Sequence, residues 1–431
     1  MNRGFYTVMA AQFFSSLADN ALLIAAIALL ADLQGPAWMT PLLKFFFTVS
    51  YVVLAAFVGA FADSMPKGQV MFVTNTVKIV GCSLLFSYEY MAPLGLSPHH
   101  AVLISYAVVG LGAAAYSPAK YGILTEMLPP EQLVIANGWI EGLTVASIIL
   151  GTMLGGALIS PHVSSVLLSF DLPHFDTGID TAPEAAIVVI SLFYLVAAVF
   201  NLHIPDTGVR YHHQPRNPVV LIKDFVECFS VLWRDKLGQI SLAVTTLFWG
   251  AGATLQFIVL KWAENRLHLP LSQSAILQGV VAIGVALGAV LAARLVPLKK
   301  SLDVLPMGVG MGVVVMSLIF VTWMPLVYLL LILVGALAGF FVVPMNALLQ
   351  HRGYVLLSAG HSIAVQNFNE NLNILLMLGL YALMIRANID IRIVIVLFGG
   401  FVSLTMLMVI RLHRYNQSKG DSLHLIGMEK H

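Results

Sequence analysis

Charge is what this chain has least of. Its 431 residues include 22 Lys and Arg against 21 Asp and Glu, so only 10% are charged; a typical soluble domain carries about 25%. Most of the chain therefore lacks an ordinary solvent-facing surface, and no polar block is long enough to form a separate soluble domain. A formal net charge of +1 leaves no basic footprint for nucleic acid. Two cysteines, Cys82 and Cys228, give no disulfide framework and read as free thiols. The thirteen histidines show no metal-ligand spacing, and His212–His213 reads as a solvated loop pair. Spacing builds no Ser-His-Asp or Cys-His grouping. These absences predict a protein that is not an enzyme and holds neither metal nor cofactor.

What is present is apolar: 59% of the residues are hydrophobic. Runs of about 20 apolar residues, the length that crosses a hydrocarbon core, recur along nearly the whole chain. Twelve spans are predicted, over 5–31, 41–62, 69–91, 100–124, 136–159, 184–204, 240–262, 272–296, 303–323, 325–349, 359–385 and 391–412. The first is too long for a signal-peptide core and has no small-residue cleavage site, so it reads as a retained helix. Gly110 to Pro118, closing the fourth span, echoes Gly335 to Pro344, closing the tenth. Such an echo is expected of a duplicated six-helix unit. The expected fold is thus an all-α membrane protein, twelve transmembrane helices in two pseudo-symmetric six-helix bundles. The halves are 1–204 and 240–412, joined by a linker over 205–239 and followed by a tail over 413–431.

The connections alternate in charge. Arg3, Lys67, Lys120, Arg210, Arg216, Lys223, Arg234, Lys236, Arg294, Lys299, Lys300, Arg352, Arg411, Arg414, Lys419 and Lys430 fall on one side, and Lys261, Arg266, Arg386 and Arg392 on the other. The positive-inside rule puts the first side, with both termini, in the cytoplasm. The loop from Ser160 to Pro183, with Asp171, Asp176 and Asp180 but no Lys or Arg, fits the outer face. Within the linker, 219–233 reads as a helix with Phe225, Phe229 and Leu232 on one side and Lys223, Asp224 and Glu227 on the other. It either lies at the membrane interface or packs on the bundle.

A few polar residues interrupt the spans, and in a bilayer each is a candidate site. Gln12, Ser16 and Asp19 follow at i, i+4 and i+7, on one stripe of the first helix. Inserting Asp19 costs on the order of 2.5–3.5 kcal/mol, so it faces a wet cavity or caps a helix contact. Lys78 and Glu141 are expected to pair with each other. In the eleventh span Gln366, Asn367, Asn369, Glu370, Asn371 and Asn373 form a polar patch, which either lines a cavity or ties helices together. Gly151, Gly155 and Gly156 read as a packing face.

Between spans two and three, Gly59-Ala-Phe-Ala-Asp63-Ser-Met-Pro-Lys67-Gly68 resembles the G-x-x-x-D-x-x-G-[RK] loop of the major facilitator superfamily, with an extra residue at Pro66–Lys67 and without the following basic run. That resemblance implies gating roles for Asp63 and Lys67. Gln12–Leu23, Ala113–Leu124, Trp249–Leu255, Phe340–Gln350 and Ala364–Asn371 are similar to the bacterial lysophospholipid transporters of that superfamily, and the likeness runs over nearly the whole chain. The resemblance implies a flippase that moves lysophospholipids, chiefly lysophosphatidylethanolamine, from the outer to the inner leaflet of the inner membrane. A cytosolic acyltransferase and acyl-carrier-protein synthetase system would re-acylate them there. At Gln256 that family's pattern leads one to expect arginine, so Lys261, Lys78 or Lys120 would supply the phosphate's counter-charge, or the headgroup contact is weaker.

A zwitterionic headgroup needs a carboxylate for its ammonium and cations or amides for its phosphate. The expected substrate-binding residues are therefore Asp19, Asn20, Lys120, Gln256, Gln366, Asn367 and Glu370, in a monomer. Lys120 has the alternative of snorkelling to lipid phosphates. A drug exporter of the same fold would use Asp19 and Glu370 as cation or proton sites. A membrane-bound acyltransferase is argued against, because no histidine is followed by aspartate at the fifth position.

Overall fold

The computed structural model describes residues 3–35, 39–89, 91, 95–169, 179–211, 217–269, 271–420 and 422–426. Asp171, Asp176, His212, His213, Arg216 and Lys430 lie outside the described residues. Among the described residues every regular element is helical: α1 (Arg3–Asp32), α2 (Thr40–Val53), α3 (Ala55–Asp63), α4 (Lys67–Phe86), α5 (Pro98–Met127), α6 (Leu133–Leu158), α7 (Pro161–Leu168), α8 (Ala182–Leu202), α9 (Pro218–Arg234), α10 (Gly238–Leu267), α11 (Leu271–Leu295), α12 (Leu305–Ser317), α13 (Met324–Leu356), α14 (Ala359–Arg386) and α15 (Ile391–Ser418). A bilayer leaves the backbone no solvent partner, so long apolar segments satisfy their own N–H and C=O groups as helices. Eleven helices are long and apolar enough to cross a membrane, and α2 with α3, bent by 65°, makes a twelfth as one broken span. The break falls at Leu54, whose N–H still bonds the Ser50 carbonyl.

The chain gathers into two compact units, one of Met1–Ile123 with Ala146–Leu221 and the other of Leu124–Val145 with Ile222–His431. In the first, α8 packs against α1 and α4. Its core holds Leu22, Leu29, Leu43, Leu85, Tyr106, Ile190 and Tyr194. Gly151 and Gly155 bring α6 against α1: an added Cβ would meet the Leu17 and Ala21 carbonyls at 2.6 and 2.7 Å. Gly156 meets nothing within 4 Å, so the packing face is made by two of the three glycines. In the second unit α11 packs on α13, α12 on α15 and α10 on α14. Leu232 of α9 joins Leu242, Leu349 and Val365 in a buried cluster, with Phe225 and Phe229 packed on it. The linker helix thus spends its apolar side on the bundle.

α5 and α13 run through Pro118 and Pro344, as the spans 100–124 and 325–349 imply, and end a few residues later than expected, at Met127 and Leu356. Each proline removes one N–H and crowds the carbonyl four residues back, but in a membrane the following turns have nowhere better to put their polar groups than in the helix. α7 occupies part of the stretch expected as loop, with Pro161 in its first turn as a helix start favours. Cys82 and Cys228 are free thiols.

Candidate functional site

Ser15 joins Gln12 and Asp19 on the polar side of α1. Gln12 and Ser15 are buried, whereas Ser16 lies at an intermediate depth and its carbonyl accepts from the Asn20 side chain at 2.8 Å. Ser15 Oγ donates to Asn75 Oδ1 of α4 at 2.7 Å and accepts from Lys78 Nζ at 3.0 Å. Lys78 then spans the Asp19 carboxylate, 2.9 Å from Oδ1 and 2.8 Å from Oδ2. Tyr194 of α8 adds an O–H donor to Oδ1 at 2.6 Å. The pairing of Lys78 with Glu141 is therefore overturned. Lys78 takes the carboxylate of its own unit, and Glu141 accepts from Asn346 in the other.

Aromatic rings complete the surroundings of this pair. Lys78 Nζ lies 5.0 Å from the centroid of Tyr116 and 5.4 Å from that of Tyr194, within cation–π range. Tyr51, Tyr106, Tyr116 and Tyr194 all lie within electrostatic reach of Asp19. The pair is unequally covered: the Lys78 side chain is 1% exposed and that of Asp19 is 20% exposed. The carboxylate is the more accessible end of the pair. Lys44 of α2 is exposed and within electrostatic reach of Asp19. A lysine inside an apolar span is a signal that the sequence itself carries.

The second unit holds a separate polar string. Glu141 of α6 accepts from Asn346 Nδ2 of α13 at 3.3 Å; Asn346 Oδ1 accepts from Gln366 Nε2 of α14 at 3.0 Å; and Gln366 Nε2 also donates to Glu370 Oε1 at 2.7 Å. One turn away, Asn137 and Gln350 exchange two hydrogen bonds of 2.9 Å each. All six side chains are buried. Among the described residues, Gln366 Oε1 and Asn367 Nδ2 are buried without hydrogen-bond partners. The rest of the α14 patch is structural. Asn369 accepts from Trp233 Nε1 at 3.3 Å, Asn373 donates to the Thr246 carbonyl at 2.8 Å, and Asn371 bonds its own helix at Asn367.

The remaining expected residues stand apart from these two groups. Lys120 is partly exposed, its ammonium 4.1 Å from the Tyr121 ring centroid. Gln256 is exposed, and its carbonyl accepts from Gln278 at 2.6 Å. Lys261 pairs with Glu264 at 3.0 Å, both exposed. Asp63, at the end of α3, and Lys67, at the start of α4, are buried and ion-paired with each other across the turn between those helices. Lys67 also donates to the Ala62 carbonyl at 2.8 Å and lies 4.8 Å from the Tyr211 ring centroid.

The described residues thus form a polytopic helical membrane protein that carries ionised pairs and amide strings inside its apolar helices. The family model of the Major Facilitator Superfamily matches residues 8–372. Lysophospholipid transporter LplT of Yersinia enterocolitica is 42% identical over 392 residues, covering 91% of this chain and 89% of that protein. The protein of that name in Yersinia pestis is also 42% identical, over 90% of this chain and 88% of its own. The chain belongs to the Major Facilitator Superfamily and, within it, to the family of these LplT proteins. Solved structures agree on the fold. A bacterial homologue of ferroportin in an outward-facing state superposes with a TM-score of 0.72 at 14% identity, covering 97% of this chain and all of that one. The human organic anion transporter MFSD10 gives 0.70 at 16% identity, covering 96% of this chain and all of its own.

Proposed function

We propose that this chain is a lysophospholipid flippase. It moves lysophospholipids, chiefly lysophosphatidylethanolamine, from the outer to the inner leaflet of a bacterial inner membrane. The observation that carries the reading is 42% identity, over nine-tenths of both chains, to proteins named as lysophospholipid transporters. Transport is by alternating access of the six-helix halves 1–204 and 240–412, with both termini cytoplasmic. The chain performs no chemistry on the lipid and works as a monomer. Its product feeds a cytosolic acyltransferase and acyl-carrier-protein synthetase system.

The geometry supports a zwitterionic headgroup. Asp19 presents its carboxylate while Lys78 and Tyr194 hold it from behind, so an incoming ammonium adds to a fixed anion. Lys44 supplies the positive charge that Gln256 lacks, at a position exposed and electrically linked to Asp19. Asn20 is a minor partner, since its amide nitrogen is already committed to Ser16. Lys120 and Gln256 are peripheral contacts along the lipid's route. Gln366, Asn367 and Glu370 give the second half its own polar surface, with two unpartnered amide atoms. Asp63 and Lys67 act as a gate latch rather than as substrate contacts.

The test is uptake of labelled lysophosphatidylethanolamine into spheroplasts that lack their own transporter, with and without this chain and with ion gradients collapsed. Uptake that depends on the chain supports the reading, and its response to each gradient names the coupling ion or shows that none is needed. Correct insertion with no uptake overturns it in favour of an amphipathic-drug exporter.

A further inference from the structure

A cavity of about 170 Å³ lies in the first unit, walled by Lys67, Gly68, Asn201, Ile204, Asp206 and Thr207 among others. Pockets for drug-sized ligands run from about 300 to 1,000 Å³, so this one suits a single small group. Helix α4 begins at its wall. Pro66, the N-cap, has no side-chain acceptor with which to cap this turn. Gly68 brings that turn against the end of α8: an added Cβ would stand 3.1 Å from Ile204 Cβ and 3.2 Å from the Asn201 carbonyl oxygen. A helix start favours negative charge, and the Lys67 ammonium of the same turn is paired with Asp63.

Asn201 is the independent observation. Its side chain is 1% exposed, and neither Nδ2 nor Oδ1 has a hydrogen-bond partner. More than nine buried polar groups in ten are paired, so a carboxamide orphaned at both ends on a cavity wall marks a missing guest. Asp206, the cavity's own carboxylate, is matched within its turn. Arg210 bonds both its oxygens, at 2.9 and 2.6 Å, and with the Gly208 N–H holds the carboxyl down at about 2. Lys78 lies eleven residues farther along α4, about 16 Å of helix. This cavity is therefore distinct from the Asp19 pair.

We infer that the cavity binds one phosphate group, supplied either by the phosphodiester of a lipid headgroup or as free inorganic phosphate. The start of α4 takes its negative charge, beside the Lys67–Asp63 pair, and Asn201 hydrogen-bonds its oxygens. The site does not depend on the transport reading, because its test needs no transport.

Full-length protein in detergent is unfolded thermally with glycerophosphoethanolamine, with inorganic phosphate, or with chloride at matched ionic strength. Tm is expected to rise with a phosphate probe and not with chloride. Asn201→Asp places a like charge in the site and is expected to weaken the apparent affinity at least about tenfold. Asn201→Leu is expected to abolish the rise while keeping or raising the basal Tm, because an unpaired buried amide is destabilising. If Asn201→Asp does not fold, Asn201→Leu decides alone. A rise with glycerophosphoethanolamine assigns the lipid headgroup, and a rise with phosphate only assigns the free anion. No rise with either probe, a rise equalled by chloride, or a rise unchanged in the Asn201 variants overturns the site.

Discussion

Lys78 Nζ sits astride the Asp19 carboxylate, 2.9 Å from one oxygen and 2.8 Å from the other, with Ser15 Oγ 3.0 Å away as a third acceptor. An ammonium has three N–H donors, and here all three find an oxygen. The lysine is thereby fixed, and with it the position at which negative charge faces the accessible side of the first unit.

Breaking this pair from either end strands a charge. Asp19→Asn and Lys78→Met should each lower the stability of the detergent-solubilised protein by on the order of 3 kcal/mol, as removal of one partner of a buried pair does. The exchange Asp19→Lys with Lys78→Asp should recover most of that loss yet leave lysophosphatidylethanolamine uptake near background, because the accessible end is then cationic. Paired Tm and uptake measurements separate the two effects. Uptake by the exchanged protein at more than half the wild-type rate would show that the pair serves the fold alone.

Lys44 gives a finer test of headgroup recognition. It is exposed and reaches Asp19 only through its field, so Lys44→Gln should leave Tm within about 2 °C, as surface substitutions do. Losing one charge-assisted contact to a phosphate, worth about 1.5 kcal/mol, should raise the KM for uptake roughly tenfold with the maximal rate little changed. An unchanged KM would remove Lys44 from the binding surface.

Much of this organisation is written in the sequence, and the exceptions have physical causes. The spans are legible because a hydrocarbon core demands about 20 apolar residues at a time. Their ends are less so: α5 and α13 run a few residues beyond the expected 124 and 349, to Met127 and Leu356, since no solvent offers the backbone an alternative. Asp19 stands out as an isolated charge, but its partner does not. Lys78 and Glu141 both lie in spans, and choosing Asp19 over Glu141 takes the packing of α4 and α6 against different neighbours, which no helical period records. The α14 patch divides in the same way. Its six polar residues share no single role, because Asn369 and Asn373 meet particular atoms on α9 and α10 while Gln366 and Glu370 meet α13. Lys44 is legible as a lone lysine within an apolar span.

Asp63 and Lys67 close one turn on each other while both are buried. Asp63→Ala leaves the Lys67 ammonium buried with its Asp63 partner gone, and the turn between α3 and α4 should loosen. Transport should then lose its rate rather than its affinity: an uptake rate at saturating lipid down about tenfold, with KM within twofold of wild type. Such a split is expected of a residue that holds one conformation rather than the substrate. An unchanged saturating rate would rule out the latch.

Glu370 allows charge to be separated from shape. Gln366 Nε2 donates to Glu370 Oε1 at 2.7 Å, and a glutamine at 370 presents an amide oxygen in the same place. Glu370→Gln therefore keeps the bond to Gln366 and the string onward to Asn346 and Glu141, and Tm should stay within about 2 °C. If the carboxylate's charge serves the ligand or a coupling ion, uptake should fall about tenfold, near the difference of roughly 1 kcal/mol or more between charged and neutral acceptors. Any dependence on an ion gradient should weaken with it. Uptake and gradient dependence both at wild-type values would make Glu370 a helix-to-helix tie. The unpartnered Gln366 Oε1 and Asn367 Nδ2 would then be the only polar atoms of this string still open to a guest among those described.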